Sequence, residues 1–264
     1  MKKLLTATAI VGFLGLSQAA FASSSYAPDV IDTEPQGFES QNSLGLGVAY
    51  QQSIYTGVDN DVKPFPMLNF TYDDFFIKGI TVGYNTYTTD VMQFSLIGRP
   101  NFQGYNSDDS RELSGMSDKG TSVNVGGQLV VKMLPLITTV SALHDISGNT
   151  AGNTLGLKFA TGLPLMDKRL IISPSVAFTY QDSNITDYYY GVSDSEATST
   201  RSAYSPSNTV NTTLGVMTKF QVSQHWSTTL AYMFTRYGNE ISDSPIVDRS
   251  TASTVLLGAS YLFS

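Results

Sequence analysis

Only a few residues in this chain could carry chemistry, and the first to test are His144, Asp145 and Ser147, which lie within four positions of one another. A serine nucleophile needs a base within hydrogen-bond reach, and that base needs a third group to orient it. The surrounding pattern is strand-like, and neighbours on a strand point to opposite faces. His144 and Asp145 can therefore pair only if the strand ends there and a loop begins at Ile146. His225 is the second histidine, and two histidines with no cysteine make a poor ligand set for a transition metal. Acids crowd three segments: Asp108, Asp109, Glu112 and Asp118; Asp182, Asp187, Asp194 and Glu196; Glu240, Asp243 and Asp248. Such oxygen donors suit Ca²⁺ or Mg²⁺, yet no spacing matches a calcium loop, and solvated charge is the favoured reading. Arg111, Arg201 and Arg249 are placed to pair with these acids across loops. Tyr188-Tyr189-Tyr190-Gly191 is harder to leave to solvent. Three adjacent aromatics either pack inward as a plug or form an interaction surface, since aromatics dominate interface hot spots, and the plug is preferred. No glycine-rich phosphate loop follows a strand. The expectation is a chain without catalytic, cofactor-binding or metal-binding residues, and not an enzyme.

The elements that must position these residues are strands. Leu44, Leu46, Val48 and Tyr50 alternate with Gly45, Gly47, Ala49 and Gln51, a period of two with bulk on one face. The pattern recurs at Leu68–Tyr72, Ile80–Tyr84, Met92–Leu96, Val123–Met133, Leu155–Phe159, Leu170–Tyr180, Leu214–Phe220, Trp226–Phe234 and Val255–Phe263, with a weaker run over 136–146. In a soluble sheet the bulky face turns inward. In a membrane barrel it turns to lipid, and the small and polar face lines the lumen. Repetition without a compensating helix or second apolar face favours the barrel.

Composition and export signals agree. Lys2 and Lys3, the apolar run 4–16 and Ala20-Phe21-Ala22 read as a signal peptide, with cleavage between Ala22 and Ser23. No later run approaches the ~18 apolar residues of a membrane helix. An exported chain without one, rich in alternating strands, suits insertion in an outer membrane, where only helices or closed barrels satisfy their backbone groups. Charged residues make up 14%, well below the ~25% usual in soluble domains. Tyr 15 and Phe 14 against Trp 1 supply aromatic girdles, and His225-Trp226 suits the headgroup level. The formal charge of −7 falls to about −9 once Lys2 and Lys3 are removed, which argues against nucleic acid. Outer-membrane lipid and lipopolysaccharide are the expected surroundings.

Eleven runs are visible, but a barrel with both ends in the periplasm needs an even number. Either FFIKG within 74–89 is its own short strand, or a strand hides in 185–192. The expected fold is therefore all-β: a transmembrane antiparallel up-and-down β-barrel of 12 strands, with 10 as the runner-up. Residues 1–22 are assigned to the signal peptide, 23–42 to a periplasmic N-terminal lead and 43–264 to the barrel. Short connections near Asp73-Asp74, 133–136, 163–168 and 223–225 face the periplasm. Long ones at about 100–120, 181–208 and 238–250 face outward.

Several strings together resemble the MipA/OmpV family of outer-membrane proteins: YTGVDNDVKPFPMLNF (55–70), LSGMSDKG (113–120), HDISGNTAG (144–152), ITDYYYGVS (185–193) with AYSP (203–206), and ISDSPIVDR (241–249). The resemblance covers nearly the whole chain after the signal peptide. It implies an outer-membrane barrel, and for HDISGNTAG a structural turn in which Gly148 and Gly152 accommodate unusual backbone angles. Its named member looks like a scaffold linking a lytic transglycosylase to a penicillin-binding protein; other members look like surface antigens or adhesins. Gly258, Tyr261 and Phe263 match the C-terminal Gly-x-x-aromatic-x-aromatic signal read by the barrel-assembly machinery. Ser264 after the last aromatic, and Leu256 where a polar residue is usual, depart from that pattern. The expected role is a non-enzymatic scaffold; a surface adhesin or receptor and a narrow diffusion channel are the alternatives.

Overall fold

A computed structural model describes residues 41–263. The Ala22–Ser23 junction, residues 23–40 of the lead and Ser264 lie outside the described residues. The strands are β1 (Ser43–Gln51), β2 (Asp61–Tyr72), β3 (Phe75–Lys78), β4 (Thr81–Thr88), β5 (Met92–Asn101), β6 (Ser122–Met133) and β7 (Leu136–Asp145), followed by β8 (Asn153–Thr161), β9 (Leu163–Leu165), β10 (Leu170–Gln181), β11 (Thr209–Gln221), β12 (Trp226–Arg236) and β13 (Thr251–Leu262). Two short helices interrupt the long loops, α1 (Ser183–Tyr190) and α2 (Asn239–Ser242).

Consecutive strands pair antiparallel, β8 and β9 excepted, and β1 pairs with β13 along its full length. The sheet thus closes into a cylinder. β8 and β9 are one stave in one register against β10, interrupted at Gly162. The break lies beside Pro174 of β10, which has no N–H to give to that ladder. Twelve staves result, and FFIK is indeed a strand of its own. Residues 185–190, the other place considered for the missing strand, are helical instead.

The alternation runs from lipid side to lumen. On β12, Leu230 is 48% exposed and Tyr232 44%, whereas Thr229 and Ala231, which alternate with them, are 2% and 3% exposed. Bulk outside and small or polar groups inside is the inverse of a soluble sheet, and only a hydrocarbon surround makes that favourable. Among the described residues no helix is long and apolar enough to cross a membrane. The connections at 52–60, 102–121, 146–152, 182–208 and 237–250 gather at one end, with the turns at 73–74, 89–91, 134–135, 166–169 and 222–225 and both strand termini at the other. Long loops mark the external end, and short turns the periplasmic end.

The wall is uneven at one place. β3 has four residues, so β2 meets it only over Asn69–Tyr72. The outer half of that β2 edge has no strand partner among the described residues. The Gly79 N–H donates to the Leu68 carbonyl across this edge, so even-numbered residues of β2 direct their backbone groups toward it. Pro64 and Pro66 are two of them. On the facing side β5 pairs with β4 only up to Gly98, and Pro100 is next to present its nitrogen to the gap. All three prolines withhold an N–H where an open edge would otherwise recruit another strand.

Candidate functional site

The HDISGNTAG segment forms a turn held by one carboxylate. Asp145, 3% exposed, accepts from the backbone N–H of Ser147, Thr150 and Ala151 and from the hydroxyls of Ser147 and Thr150. His144 points outward, its Nδ1 3.1 Å from Asn153 Oδ1. The histidine and aspartate lie on opposite faces, and the carboxylate is fully committed to the turn, so these residues do not assemble an acid–base pair with Ser147. Among the described residues no three His, Asp or Glu side chains converge as a metal site.

The acids of the long loops do local work. Asp182 caps α1 by accepting from the Ile185 N–H at 3.2 Å, and also accepts from the Asn153 N–H at 2.7 Å. Glu240 accepts from the Ser207 N–H at 2.7 Å. Glu196 accepts from the Ser117 N–H at 2.8 Å and from the Ser193 N–H and hydroxyl. Partial burial pushes the Glu196 carboxyl up, but these donors outweigh it and hold it down at about 2. Donors from Ser107 likewise lower Asp118.

Among the described residues the expected arginine–acid pairs across loops do not form. There Arg111 and Arg249 pair with their chain neighbours Glu112 and Asp248, at 3.6 and 3.7 Å. Arg201 is 6% exposed and donates instead to the backbone carbonyls of Glu112, Ser114 and Glu196. The physical reason is that closely packed loops leave carbonyls without partners. A buried guanidinium with five donors satisfies several at once.

Over the external mouth these loops close an apolar cluster. Ile54 and Tyr55 enter from 52–60; Tyr105, Leu113 and Met116 from 102–121; Ile185, Tyr189, Tyr190 and Val192 from 182–208; and Ile241, Ile246 and Val247 from 237–250. Tyr189 and Tyr190 are fully buried, and Tyr188 is half-buried at the margin. Tyr55 stacks on Tyr190 at 5.7 Å and meets Tyr105 edge-on at 4.8 Å. The Tyr189 hydroxyl donates to the Gly120 carbonyl at 3.1 Å. Lys119 lies over the Tyr188 ring at 4.8 Å. Burial raises the Tyr55 and Tyr190 phenols far above their ordinary range and keeps them neutral. Gly191 ends α1 with its N–H on the Asp187 carbonyl, and a Cβ at Gly191 would strike that oxygen.

Below the cap an amide chain crosses the lumen. Gln181 donates to Gln103 at 3.1 Å, Asn211 donates to Gln181 at 3.2 Å, and Gly238 donates its N–H to Asn211 at 3.0 Å. The polar cavity beside it, bounded by Arg99, Asn101, Asn124 and Thr154, is small, about 20 Å³. Further in, Phe65, Met67, Phe102, Met233 and Leu256 pack together as an apolar layer.

At the periplasmic end Tyr261 stacks on His225 at 5.7 Å and meets Trp226 and Phe263 edge-on. Phe263 also packs against Phe70 at 5.8 Å. Gly258 faces inward opposite Gly47, and a Cβ there would meet Met67 Sδ and the Gly47 Cα. Sequence reasoning singled out neither the carbonyl-binding role of Arg201 nor the amide chain. Asp182-Ser183-Asn184 ahead of Ile185 was a legible helix start, and the period of two already placed Gln181 and Asn211 on the inner face.

Comparison with known proteins gives the family. A family model described as "MltA-interacting protein MipA" matches residues 44–263. The putative outer membrane protein YiaT of Escherichia coli K12 is 26% identical, covering 85% of this chain and 92% of that protein. The MltA-interacting protein of the same organism is 26% identical over 85% and 91%. The outer membrane protein OmpV of Vibrio cholerae is 27% identical over 78% and 80%. Among solved structures, the NanC porin is similar with a TM-score of 0.47 at 9% identity, covering 83% of this chain and all of that one. With the match spanning the whole cylinder, the chain belongs to the MltA-interacting protein MipA family and is an outer-membrane β-barrel.

Proposed function

We propose that this barrel is a non-enzymatic scaffold that docks peptidoglycan machinery, a lytic transglycosylase first and a penicillin-binding protein with it, on its periplasmic rim. The observation that carries this reading is the closed mouth. Tyrosines and aliphatic side chains from four loops fill it, and a second apolar layer lies within the barrel. A lumen filled at two levels favours action through a surface over passage of solutes. Burial of Tyr189 and Tyr190 likewise removes them from any external binding face. The rim offers apolar tips: Leu134 is 74% exposed and Met166 66%, on neighbouring short turns. The relative named MltA-interacting protein points to the class of partner.

A photoreactive residue at Lys168 or Ser223, in cells carrying the intact barrel, tests the reading. Capture of a lytic transglycosylase, lost on L134D/M166D in a barrel that still inserts, is the expected outcome. Capture of no peptidoglycan enzyme from either position refutes it. Planar-bilayer recording provides the contrast: steady conductance by the native barrel would favour the channel instead.

A further inference from the structure

We propose that the outer half of the wall holds a lateral notch between β2 and β5 that seats one acyl chain of lipopolysaccharide, the lipid of the outer leaflet. Three observations carry this. The first is the gap itself. The turn at Gly79-Ile80 lies within the wall and not at either end of the barrel: the hairpin of β3 and β4 rises only as far as Leu68 of β2 and Gly98 of β5. Above it, Asp61–Met67 of β2 and Arg99–Asn101 of β5 have no strand between them among the described residues. Seven residues of strand make about 23 Å, and at the ~40° tilt usual in such barrels they rise about 18 Å. That exceeds half of the ~30 Å hydrocarbon thickness. The notch therefore opens on the outer leaflet, and its floor lies near mid-bilayer.

The second is what the edges lack. Hydrocarbon offers a backbone N–H no partner, and each one left there costs several kcal/mol. The residues whose backbone faces the notch are Val62, Pro64 and Pro66 on β2 and Pro100 on β5. The prolines have no N–H, and Val62 sits at the external end, toward the headgroups. Such an edge tolerates hydrocarbon, and a further strand cannot extend it. A second copy joined through its sheet edge is thereby disfavoured. The edge selects a partner that brings no hydrogen-bonding groups, and an acyl chain is what the outer leaflet presents at this depth.

The third is the floor. Ile80, at the tip of the hairpin, packs against the inner apolar layer and stays partly exposed. On the lipid face beside it Val62 is 62% exposed, Pro64 is exposed and Leu68 is half-buried. Apolar side chains thus line the way from the outer wall to Ile80. A chain seated there meets protein along both edges and at its tip, whereas a chain against the plain wall meets it on one side. Each added contact contributes little, but their sum is large.

The probe is a small diazirine-bearing aliphatic residue in place of Ile80, in the full chain assembled in native outer membranes. The barrel is moved into detergent, washed free of bulk lipid and illuminated, with heat-modifiable gel mobility reporting that it is folded. The same residue in place of Leu68, at the foot of the β2 edge, reads the site a second time. References are the probe in place of Leu230, on the plain lipid face, and of Thr229, in the lumen. The expected result is lipopolysaccharide adducts about tenfold more abundant from positions 80 and 68 than from 230, a retention of about 1.4 kcal/mol, and none from 229. Equal yields at 80, 68 and 230 overturn the proposal, because the chain then exchanges like bulk lipid. Adducts to protein in place of lipid overturn it by showing the notch covered. Phospholipid adducts alone overturn it too, by assigning the chain to the other leaflet.

Discussion

Replacing Arg201 by alanine should open the external cap without unfolding the barrel. The guanidinium is buried and donates to three backbone carbonyls, two on the 102–121 loop and one on its own loop. Hydrogen bonds to a charged donor contribute about 1.5–3 kcal/mol each, and stranded buried carbonyls add their own desolvation cost. Allowing for water entering the vacated space, a loss of roughly 3–5 kcal/mol in the cost of local opening is expected, which corresponds to about a hundredfold to several-thousandfold more time spent open. Staves held to both neighbours by backbone ladders should not feel this. Limited proteolysis of the 182–208 loop in intact barrels measures the opening, and heat-modifiable mobility measures the barrel. R201K restores the charge but not the planar fork, so it should recover only part of the protection. Cleavage of R201A at the wild-type rate would refute the reasoning, and so would loss of the barrel itself.

Three further outcomes follow from the same geometry. The Glu196 carboxyl sits at about 2 when folded against an ordinary 4.5. Its contribution to the cap is therefore complete above about pH 4.5 and lost as pH falls toward 2; with solvent screening it is on the order of 1 kcal/mol. E196Q should flatten the acid limb of loop proteolysis between those values, and an unchanged limb would count against the assignment. Leu230, facing lipid in mid-strand, should cost about 2–4 kcal/mol on replacement by arginine in bilayer refolding, far more than a cation at a lumen position such as Thr229 would through contact with hydrocarbon. Equal penalties would contradict the orientation. Gly258 faces Met67 and Gly47 too closely for a side chain, so G258V should fail to refold in lipid even without assembly proteins. F263A should refold in vitro and be slowed only in cells. Normal refolding of G258V would show that this glycine is not needed for packing.

The architecture was legible in the residues because a membrane barrel is a local code. Period-two alternation on each strand states which face meets lipid, and alternating loop lengths state which end faces out. Parity demanded one more strand and left two places for it, FFIK and 185–192; the pairing of the strands puts it at FFIK. The candidate chemistry at His144 and Asp145 could be discounted on the same ground, since neighbours on a strand diverge. What failed was the charge reading of the loops. The acids were set against Arg111, Arg201 and Arg249, yet they bind backbone N–H groups, and Arg201 binds carbonyls.

By itself the sequence determined a closed cylinder in an outer membrane, with its bulky rows outward and its polar rows inward. These are properties of residues two apart, and hydrocarbon reads them one strand at a time. Only the tertiary structure decided what fills the mouth, where Tyr55 meets Tyr190 across 135 positions, which carbonyls Arg201 finds, and that Pro64, Pro66 and Pro100 edge the same gap. Each depends on segments far apart in the chain arriving at one place, and no local period records which of many loops will meet once the barrel closes.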